Sequence, residues 1–274
     1  MQQLLNPVVE LCREAGQAIL DVYHGGADMG LQTKADDSPV TRADLNAHNI
    51  LEPGLEKLLP GIPVLSEEGG IPDFSVRQHW SRYWLVDPLD GTREFINRNG
   101  EFTVNVALID NGCPILGVVY VPVSGVAYTG IAGGGANKIV ADTIPINTSK
   151  LTDQTGNARS FTVVSSRRYG TEAVDRLLAK LPPSLGAVAT RHIGSSLKMC
   201  LIAEGAADFY PRLAPTSEWD TAAAQAVVEA AGGALLDHNL RPLRYNRKES
   251  LLNPNFFVVG DRQFDWGFLV EGNN

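Results

Sequence analysis

The sequence predicts a fold that is α+β in its first half and α/β in its second half. After two amphipathic stretches, short β-type segments follow one another between about residues 62 and 131, which is typical of an antiparallel sheet. From about residue 160, β-type and helical patterns alternate, as they do in α/β proteins. With 274 residues, 44% of them apolar, the chain can form one large domain or two lobes around a substantial core.

Two helices are predicted near the start of the chain, over residues 4–23 and 42–59. In the first, apolar residues recur at helical spacing, at Leu4, Val8, Leu11, Cys12, Ala15, Ile19 and Val22. In front of the second, Thr41 and Asp44 have the spacing of a capping box, in which each side chain accepts a hydrogen bond from the backbone of the other. Asp44 is therefore a candidate helix cap.

The remaining elements follow from alternation and turn signals. In the first half, strands are predicted over 62–66, 83–87, 103–109, 115–121 and 125–131, with a hairpin turn at Asp110-Asn111-Gly112. In the second half we expect strand 161–165, helix 170–180, strand 187–193, helix 195–204, strand 207–210 and helix 220–231, the last closed by Gly232-Gly233. Residues 150–159 are polar and contain glycine, so we expect an α+β lobe over 1–155 and an α/β lobe over 156–274, with the active site between them.

The charge of the chain excludes one class of partner. The formal net charge is −8, and the sequence has no basic run and no aromatic residues interleaved with basic ones. Nonspecific binding of a nucleic-acid polymer is therefore not expected. A polyanionic small molecule would have to be attracted by a local group of positive charges.

Cysteine usage and the first helix predict the compartment. Cys12, Cys113 and Cys200 are widely spaced in apolar surroundings, which argues against a disulfide framework or a zinc site and favours a reducing cytoplasm. Glu10 and Asp21 are among the charges that interrupt the apolar residues of the first helix, so we expect neither a signal peptide nor a membrane span. The protein would be free in the cytoplasm or peripheral at the inner face of the cell membrane.

The most informative motif is Trp84-Leu85-Val86-Asp87-Pro88-Leu89-Asp90-Gly91-Thr92. An apolar strand ends there in two carboxylates, and Pro88 should stop the strand. Carboxylate oxygens at such a turn suit a hard divalent cation. The segment from Gly91 looks like the first turn of a helix, whose free N–H groups favour a phosphate. The motif thus predicts a metal and a phosphate at one place.

Two further acidic segments also lie at the ends of elements. Glu67 and Glu68 follow the strand at 62–66, and Asp220 lies at the start of an alanine-rich helix. Taken singly, each of these carboxylates is as well explained as a turn or capping residue. Together with Asp87 and Asp90 they favour a shared metal site.

These motifs resemble a known family. Asp87-Pro88-Leu89-Asp90-Gly91-Thr92 and Trp219-Asp220-Thr221-Ala222-Ala223 are similar to the two signatures of the inositol monophosphatase superfamily of magnesium-dependent, lithium-sensitive phosphatases. Four further segments resemble its bacterial 3'(2'),5'-bisphosphate nucleotidases, namely 34–41, 63–68, 100–105 and 194–198. The likeness extends from the first helix to about Asn253-Pro254. It implies a layered αβαβα sandwich, the sugar-phosphatase fold.

The resemblance implies a site with two or three Mg²⁺ ions. Their ligands would be Glu67, Asp87, the Leu89 carbonyl, Asp90 and Asp220, with Asp87 shared by two ions. Together with Asp36, the acidic residues among them would be five crowded carboxylates, which would repel a phosphate unless cations offset their charge. Thr92, paired to Asp36, would take the proton of the attacking water. Asp44 would then be either a helix cap or an outer-shell residue of the metal site.

The implied substrate site contains a second place for an anion. The reacting phosphate would lie at Gly91 and Thr92, and the other phosphate would meet Ser195, Lys198 and Arg212. A capping serine, a solvated lysine and a surface arginine explain the last three equally well. Where relatives tend to carry a histidine beside the base, this chain has Arg168-Tyr169, and Tyr169 is the candidate for stacking.

Three functions are open at this point. The favoured one is a Mg²⁺-dependent phosphatase that removes the 3'-phosphate of adenosine 3',5'-bisphosphate, giving AMP and phosphate in sulfur and nucleotide metabolism. The 3'-phosphorylated sulfate donor, 3'-phosphoadenylyl sulfate, is a second candidate substrate. The alternatives are an inositol monophosphatase or related sugar-phosphate phosphatase, and a catalytically silent metal or nucleotide sensor. The oligomeric state is left open.

Overall fold

The computed structural model describes residues 1–26, 29–34, 39–151, 160–166 and 171–270. Its helices are α1 (Gln2–His24), α2 (Arg42–Leu58), α3 (Phe74–Arg77), α4 (Thr92–Ile96), α5 (Thr171–Leu178), α6 (Leu197–Ala203) and α7 (Glu218–Ala230). Short 3₁₀ turns lie at Pro183–Leu185 and Gly267–Leu269. The strands of the first half are β1 (Gln32–Thr33), β2 (Pro39–Val40), β3 (Val64–Ser66), β4 (Arg82–Asp90), β5 (Thr103–Asp110), β6 (Cys113–Val121), β7 (Val126–Ile131), β8 (Gly135–Ile139) and β9 (Thr143–Ile146). Those of the second half are β10 (Phe161–Ser165), β11 (Val188–His192), β12 (Phe209–Arg212), β13 (Ala234–Asp237) and β14 (Phe256–Val259).

Two large sheets organise the chain. The first has seven strands in the order β3-β4-β5-β6-β7-β8-β9, and every neighbouring pair is antiparallel except β3 and β4. The second has five strands in the order β11-β10-β12-β14-β13 and is mixed, because β10 pairs in parallel with β11 and β12 while β14 is antiparallel to its neighbours. A third, two-stranded ribbon joins β1 and β2.

The helices and sheets form five layers. Helices α1 and α2 pack on one face of the seven-stranded sheet, and α7 packs on its other face. Helix α6 packs on α7 and reaches β12 and β14, so these two helices lie between the sheets. Helix α5 covers the outer face of the second sheet, where Leu177 joins the cluster of Phe161 and Phe257. The predicted αβαβα sandwich is confirmed.

The predicted division into lobes stays a prediction. Residues 152–159 lie outside the described part of the chain, and α7 comes from the second half while packing on strands of the first. The two sheets therefore share one helical layer and one apolar core, which includes residues of β4, β5, α6, α7 and β14.

Local signals placed several elements correctly. Thr41 and Asp44 form the predicted capping box at the start of α2. Asn111 and Gly112 both have positive φ, as a two-residue hairpin between β5 and β6 requires. The helix predicted after Gly91 is confirmed, because α4 spans Thr92–Ile96.

The prediction that Pro88 ends its strand is wrong. Strand β4 runs on to Asp90, and its pairing with β5 shifts register between Asp87 and Asp90. Such a bulge accommodates a proline, which has no N–H to give to the ladder. The two aspartates thus flank a kink within the strand.

Other boundaries differ by a few residues. The helix predicted over 195–204 begins only at Leu197, so Ser195 is not its cap, and α7 begins two residues before Asp220. The short elements β1, β2, β8, β9, β13, β14 and α3 were not predicted, whereas β3, β10, β11 and β12, which are also short, were. Among the helices that the structure describes, none is long and apolar enough to cross a membrane.

Candidate active site

One cleft brings most of the predicted site residues together. It has a volume of about 290 Å³, and its walls include the predicted residues Glu67, Asp90, Gly91, Thr92, Ser195, Lys198, Arg212 and Asp220. These residues come from the end of β3, the β4–α4 segment, the start of α6, β12 and the start of α7. The layered fold therefore joins segments that are far apart in the sequence.

A larger cavity lies elsewhere and has a different character. Its volume is about 570 Å³, and Leu236, Leu240 and Phe264 line it together with Arg244 and others. None of the predicted site residues contributes to it. We take the smaller cleft as the candidate active site, since the acidic motifs converge there.

The bulge of β4 contains the first of the predicted metal ligands. Asp87 and Leu89 are each 1% exposed, and the Leu89 N–H donates to Asp87 Oδ1 over 3.0 Å. This bond closes a local turn at Pro88 that holds the Asp87 carboxylate in place. Asp90 is only half-buried and lines the cleft.

Asp90 is held by the segment that precedes α6. Its Oδ2 accepts hydrogen bonds from the Ser196 backbone N–H over 2.6 Å and from the Ser196 hydroxyl over 2.8 Å. The amide of Asn105, on the neighbouring β5, lies 3.0 Å from the same hydroxyl and 3.4 Å from Asp90 Oδ2. The sequence reading missed both Ser196 and Asn105, although both belong to motifs that carried the family resemblance.

Asp220 is fixed by a second capping box. The Ser217 N–H donates to Asp220 Oδ2 over 2.9 Å, so the aspartate lies in the first turn of α7. The Ser196 hydroxyl also lies 2.7 Å from the Asp220 carbonyl, and its single hydrogen is shared between this oxygen and Asp90. Ser196 therefore contacts both Asp90 and the backbone of Asp220, and it ties β4 to α7.

Glu67 follows β3 and is paired with a lysine. Lys34 Nζ lies 2.7 Å from Glu67 Oε1 and 2.6 Å from Glu68 Oε1. All three side chains are less than one quarter exposed, which limits the screening of these two ion pairs by water. Lys34 thus offsets part of the acidic charge at this end of the cleft.

The electrostatics of the carboxylates favour a cation. Burial raises the pKa of Asp87 well above its usual range, and the charges of the neighbouring carboxylates raise it further. Burial and the charge of Asp90 do the same to the pKa of Asp220. Burial also raises the pKa of Glu67, although Lys34 opposes this effect. A divalent cation would stabilise the ionised forms of all three groups.

The carboxylates do not form a closed cage. Within the described residues, no group of three or more His, Cys, Asp or Glu side chains is placed to hold a metal ion as it stands. The hydrogen bonds explain this arrangement, because Lys34, Ser196 and the Ser217 N–H each turn one carboxylate toward a protein donor. The donor set is all oxygen and strongly acidic, and it fits a hard divalent cation that keeps several waters.

Thr92 is paired with a carboxylate other than the one expected. Its hydroxyl donates to Asp44 Oδ1 over 3.1 Å and lies 3.4 Å from the Leu89 carbonyl. Asp36, its predicted partner, lies outside the described residues. The second oxygen of Asp44 accepts the Thr41 N–H over 2.7 Å, as the capping box requires. Asp44 thus serves as a helix cap and as the described partner of Thr92, and burial raises its pKa.

Gly91 is required by its backbone and by its neighbours. Its φ is 93°, in the left-handed region, and it precedes the first residue of α4. A Cβ there would meet the Glu101 carbonyl at 3.2 Å and Ser195 Cβ at 3.3 Å. The small residue allows the loop before α6 to approach the start of α4.

Lys198 lies deep in the wall of the cleft. It is 6% exposed, and its ammonium donates to the carbonyls of Ser195 over 2.7 Å and Ile193 over 3.2 Å. The nitrogen lies 5.4 Å from the centre of the Tyr210 ring. Burial lowers the pKa of Lys198 to about 8. An ammonium has three hydrogens, so two hold the loop at Ser195, whose φ is 46°, and one is left for a ligand.

Arg212 completes the basic side of the cleft. Its guanidinium donates to the carbonyls of Ala214 over 3.1 Å and Pro215 over 2.9 Å. These bonds orient the side chain at the end of β12. Tyr169 and Arg168 lie outside the described residues, so their predicted contacts with the base stay predictions.

The fold and the acidic cleft are those of a defined class of protein. The chain matches the inositol monophosphatase family over residues 1–263, and it belongs to this family.

Several relatives share one name. The 3'(2'),5'-bisphosphate nucleotidase CysQ of Shigella flexneri is 50% identical over 261 residues, which cover 93% of this chain and 99% of that protein. The CysQ of Escherichia coli strain K12 is 51% identical over 255 residues, with the same two coverages. The crystal structure of CysQ from Bacteroides thetaiotaomicron superposes with a TM-score of 0.83 at 40% identity, over 96% of this chain and 98% of that one. The suhB protein of Bartonella henselae, at 22% identity and a TM-score of 0.77, is similar in fold.

Proposed function

We propose that this chain is a Mg²⁺-dependent 3'(2'),5'-bisphosphate nucleotidase. It would remove the 3'-phosphate of adenosine 3',5'-bisphosphate to give AMP and phosphate. One observation carries the proposal: a single cleft is lined both by acidic side chains, Glu67, Asp90 and Asp220, and by the basic side chains of Lys198 and Arg212. About half-identity to nucleotidases named CysQ, over almost their full length, supports the same substrate class.

We place the metal ions at the carboxylates of the cleft. Glu67, Asp87 and the Leu89 carbonyl would hold one Mg²⁺, and Asp87, Asp90 and Asp220 would hold a second, with a third, weaker position near Glu67. When bound, the ions supply charge that offsets the phosphate and lower the pKa of water. Their number, two or three, is part of the proposal.

The residues of the chain handle the proton and the phosphate. Thr92 directs its hydroxyl hydrogen to Asp44, so its oxygen can accept a proton from an attacking water while its own hydrogen passes to Asp44 Oδ1. Asp44 fixes the orientation of that hydroxyl because its other oxygen is held by the helix cap. The reacting phosphate would lie against the backbone of Gly91 and Thr92, where α4 begins. The reaction would be a single displacement, because no step requires a phosphorylated residue.

The basic side chains of the cleft would select a substrate with two phosphates. Lys198 and Arg212 are each oriented by backbone carbonyls, which lowers the entropy lost when they bind an anion. A monophosphate cleaved at the carboxylates offers these groups nothing to bind. The second phosphate is thus the feature that distinguishes a nucleotide bisphosphate from inositol monophosphate.

A comparison of substrates tests this function. The assay is phosphate release from adenosine 3',5'-bisphosphate, adenosine 3'-monophosphate, 3'-phosphoadenylyl sulfate and inositol 1-phosphate, with and without Mg²⁺. We expect kcat/KM to be highest for a bisphosphate nucleotide. Preference for inositol 1-phosphate would support the polyol-phosphatase alternative, and no turnover of any substrate would support the silent sensor.

A matched pair of variants locates the selectivity. Arg212→Ala should lower kcat/KM for the bisphosphate by about 10- to 150-fold, which corresponds to a charge-assisted hydrogen bond of about 1.5–3 kcal/mol. It should leave the monophosphate nearly unchanged. The control is Arg176→Ala, which removes the same charge from an exposed position on α5. Equal losses on both substrates with Arg212→Ala would contradict the assignment of the second anion site.

The proposed location follows from the cysteines. Cys12, Cys113 and Cys200 are all free thiols in the structure. Free thiols favour a reducing compartment, and we propose the cytoplasm.

A further inference from the structure

Helix α2 carries a row of three polar residues at intervals of one turn, Asp44, His48 and Glu52. Asp44 reaches Thr92, as described above. His48 lies one turn further on and is directed to the end of β3. Its Nδ1 is 3.0 Å from the hydroxyl of Ser66, and its Nε2 is 3.3 Å from a carboxylate oxygen of Glu52. One helix face thus contacts the site at two places.

Ser66 is the last residue of β3 and immediately precedes Glu67. The Ser66 carbonyl accepts the Gly69 N–H over 3.1 Å, and the Glu67 N–H donates to the Val86 carbonyl of β4 over 3.1 Å. These bonds form the turn that presents Glu67 to the cleft. The hydroxyl of Ser66 adds a third attachment of this turn, and it goes to α2 rather than to β4.

The hydrogen bond between His48 and Ser66 is buried. Ser66 is 2% exposed and His48 is 9% exposed, so water competes little for this hydrogen bond. A Cβ at Gly69 would lie 3.4 Å from the His48 ring, which shows that the imidazole packs against the turn itself. Glu52, whose side chain is 39% exposed, holds the other side of the ring.

We infer that His48 is a positioning residue that, through Ser66, sets the place of Glu67 at the metal end of the cleft. The inference rests on the proposed function, because it requires a Mg²⁺ ion bound at Glu67. It assigns no chemistry to His48 itself. A residue of this kind orients a ligand, and loss of such a contact weakens metal binding rather than chemistry. Saturating Mg²⁺ should therefore compensate for its loss.

The experiment measures Mg²⁺ binding to the metal-free full chain by calorimetry, and kcat/KM as a function of Mg²⁺ concentration. Ser66→Ala and His48→Ala should each raise the dissociation constant for Mg²⁺ by about tenfold, the low end of the range for residues that orient a metal ligand. The turnover number should recover at saturating Mg²⁺. The double variant should lose no more than either single variant, because both remove one contact.

Two substitutions of His48 test the atom involved. Asn places a polar atom near the position of Nδ1, and Gln places one near Nε2. His48→Asn should therefore keep near-normal Mg²⁺ binding, whereas His48→Gln should resemble Ser66→Ala. This pair still decides the question if His48→Ala does not fold.

Ser165→Ala is the matched control. Ser165 ends β10 and its hydroxyl lies 2.8 Å from Nδ1 of His192, so the same two residue types make the same bond in the other sheet. Mg²⁺ binding should not change in this variant. The inference would be overturned if Ser66→Ala and Ser165→Ala weakened Mg²⁺ binding equally. It would also be overturned if Ser66→Ala and His48→Gln both bound Mg²⁺ normally. If the wild type binds Mg²⁺ but hydrolyses no bisphosphate, the proposed function fails while the binding data still test His48.

Discussion

Replacing Thr92 by alanine should abolish most turnover while the protein stays folded. The change removes the hydroxyl that lies 3.1 Å from Asp44, and with it the proton acceptor we propose for the attacking water. General acid–base groups typically contribute 10²- to 10⁴-fold, so the barrier should rise by about 3–5 kcal/mol at 1.36 kcal/mol per tenfold. The lost hydrogen bond should lower the free energy of unfolding by only about 0.5–1.5 kcal/mol.

The structure separates this effect from that of the neighbouring cap. Asp44→Ala should reduce turnover similarly, and it should also cost about 0.5–2 kcal/mol of stability because it breaks the capping box of α2. Thr41→Ala is the control, since it removes the Thr41 side chain, which bonds to Asp44 Oδ2 and to the Ala43 N–H, and leaves the Asp44–Thr92 bond intact. Thr41→Ala should lower stability by about the same amount while turnover stays close to normal.

The assay is single-turnover phosphate release from adenosine 3',5'-bisphosphate at saturating Mg²⁺, together with urea unfolding of each variant. Thr92→Ser should retain most activity because it keeps the hydroxyl. Near-normal turnover by Thr92→Ala would refute the proton-transfer role. A parallel loss in Thr41→Ala would show that the stability of α2, rather than the hydroxyl, limits the reaction.

Four further outcomes are expected. Asp220→Asn should remove most activity. Without Mg²⁺, the variant should unfold at the same temperature as wild type or at a higher one, since it relieves the crowding of negative charges that raises the pKa values of these carboxylates. A lower Tm in metal-free buffer would contradict this expectation. Lithium should inhibit more strongly than sodium or potassium at equal ionic strength, because a small hard ion can replace a weakly held Mg²⁺, and equal inhibition by the three salts would leave only screening. For the bisphosphate, kcat/KM should fall as the pH rises through about 8, because the pKa of Lys198 is lowered to that value and the side chain binds an anion only when it is protonated. Lys198→Arg should lose this inflection of the pH profile. If the inflection persists in Lys198→Arg, another group is responsible for the titration. Gly91→Ala should lower the free energy of unfolding by about 1–2 kcal/mol through its left-handed φ, and an unchanged urea midpoint would show that the loop relaxes.

The sequence by itself determined the features that depend on neighbouring residues. The capping box of Thr41 and Asp44, the hairpin at Asn111-Gly112 and the helix after Gly91 are all local, because their hydrogen bonds join residues a few positions apart. The order of elements along the chain predicted an antiparallel sheet in the first half and an α/β arrangement in the second half, because consecutive elements tend to lie side by side. The family resemblance added the layered arrangement, which hairpin order alone could not fix.

Short or interrupted segments escaped prediction. Strand β4 continues past Pro88 only because β5 can shift register beside it, and this compensation comes from another strand. Strand β14 is a run of four apolar residues, which by pattern could equally be part of a helix. Its position between β12 and β13 depends on pairing with strands that lie 19 or more positions away in the chain.

Only the tertiary structure decided which residues meet in the cleft. The bond between Thr92 and Asp44 spans 48 positions, and that between Ser196 and Asp90 spans 106. No local pattern specifies such contacts, because they arise when helices and sheets pack to bury their apolar faces. The same packing turns Lys198 toward the carbonyls of its own loop and places His48 against the turn of Glu67. Residue types at strand and helix ends thus predicted the chemistry of the site, while the packed layers selected the partner of each side chain.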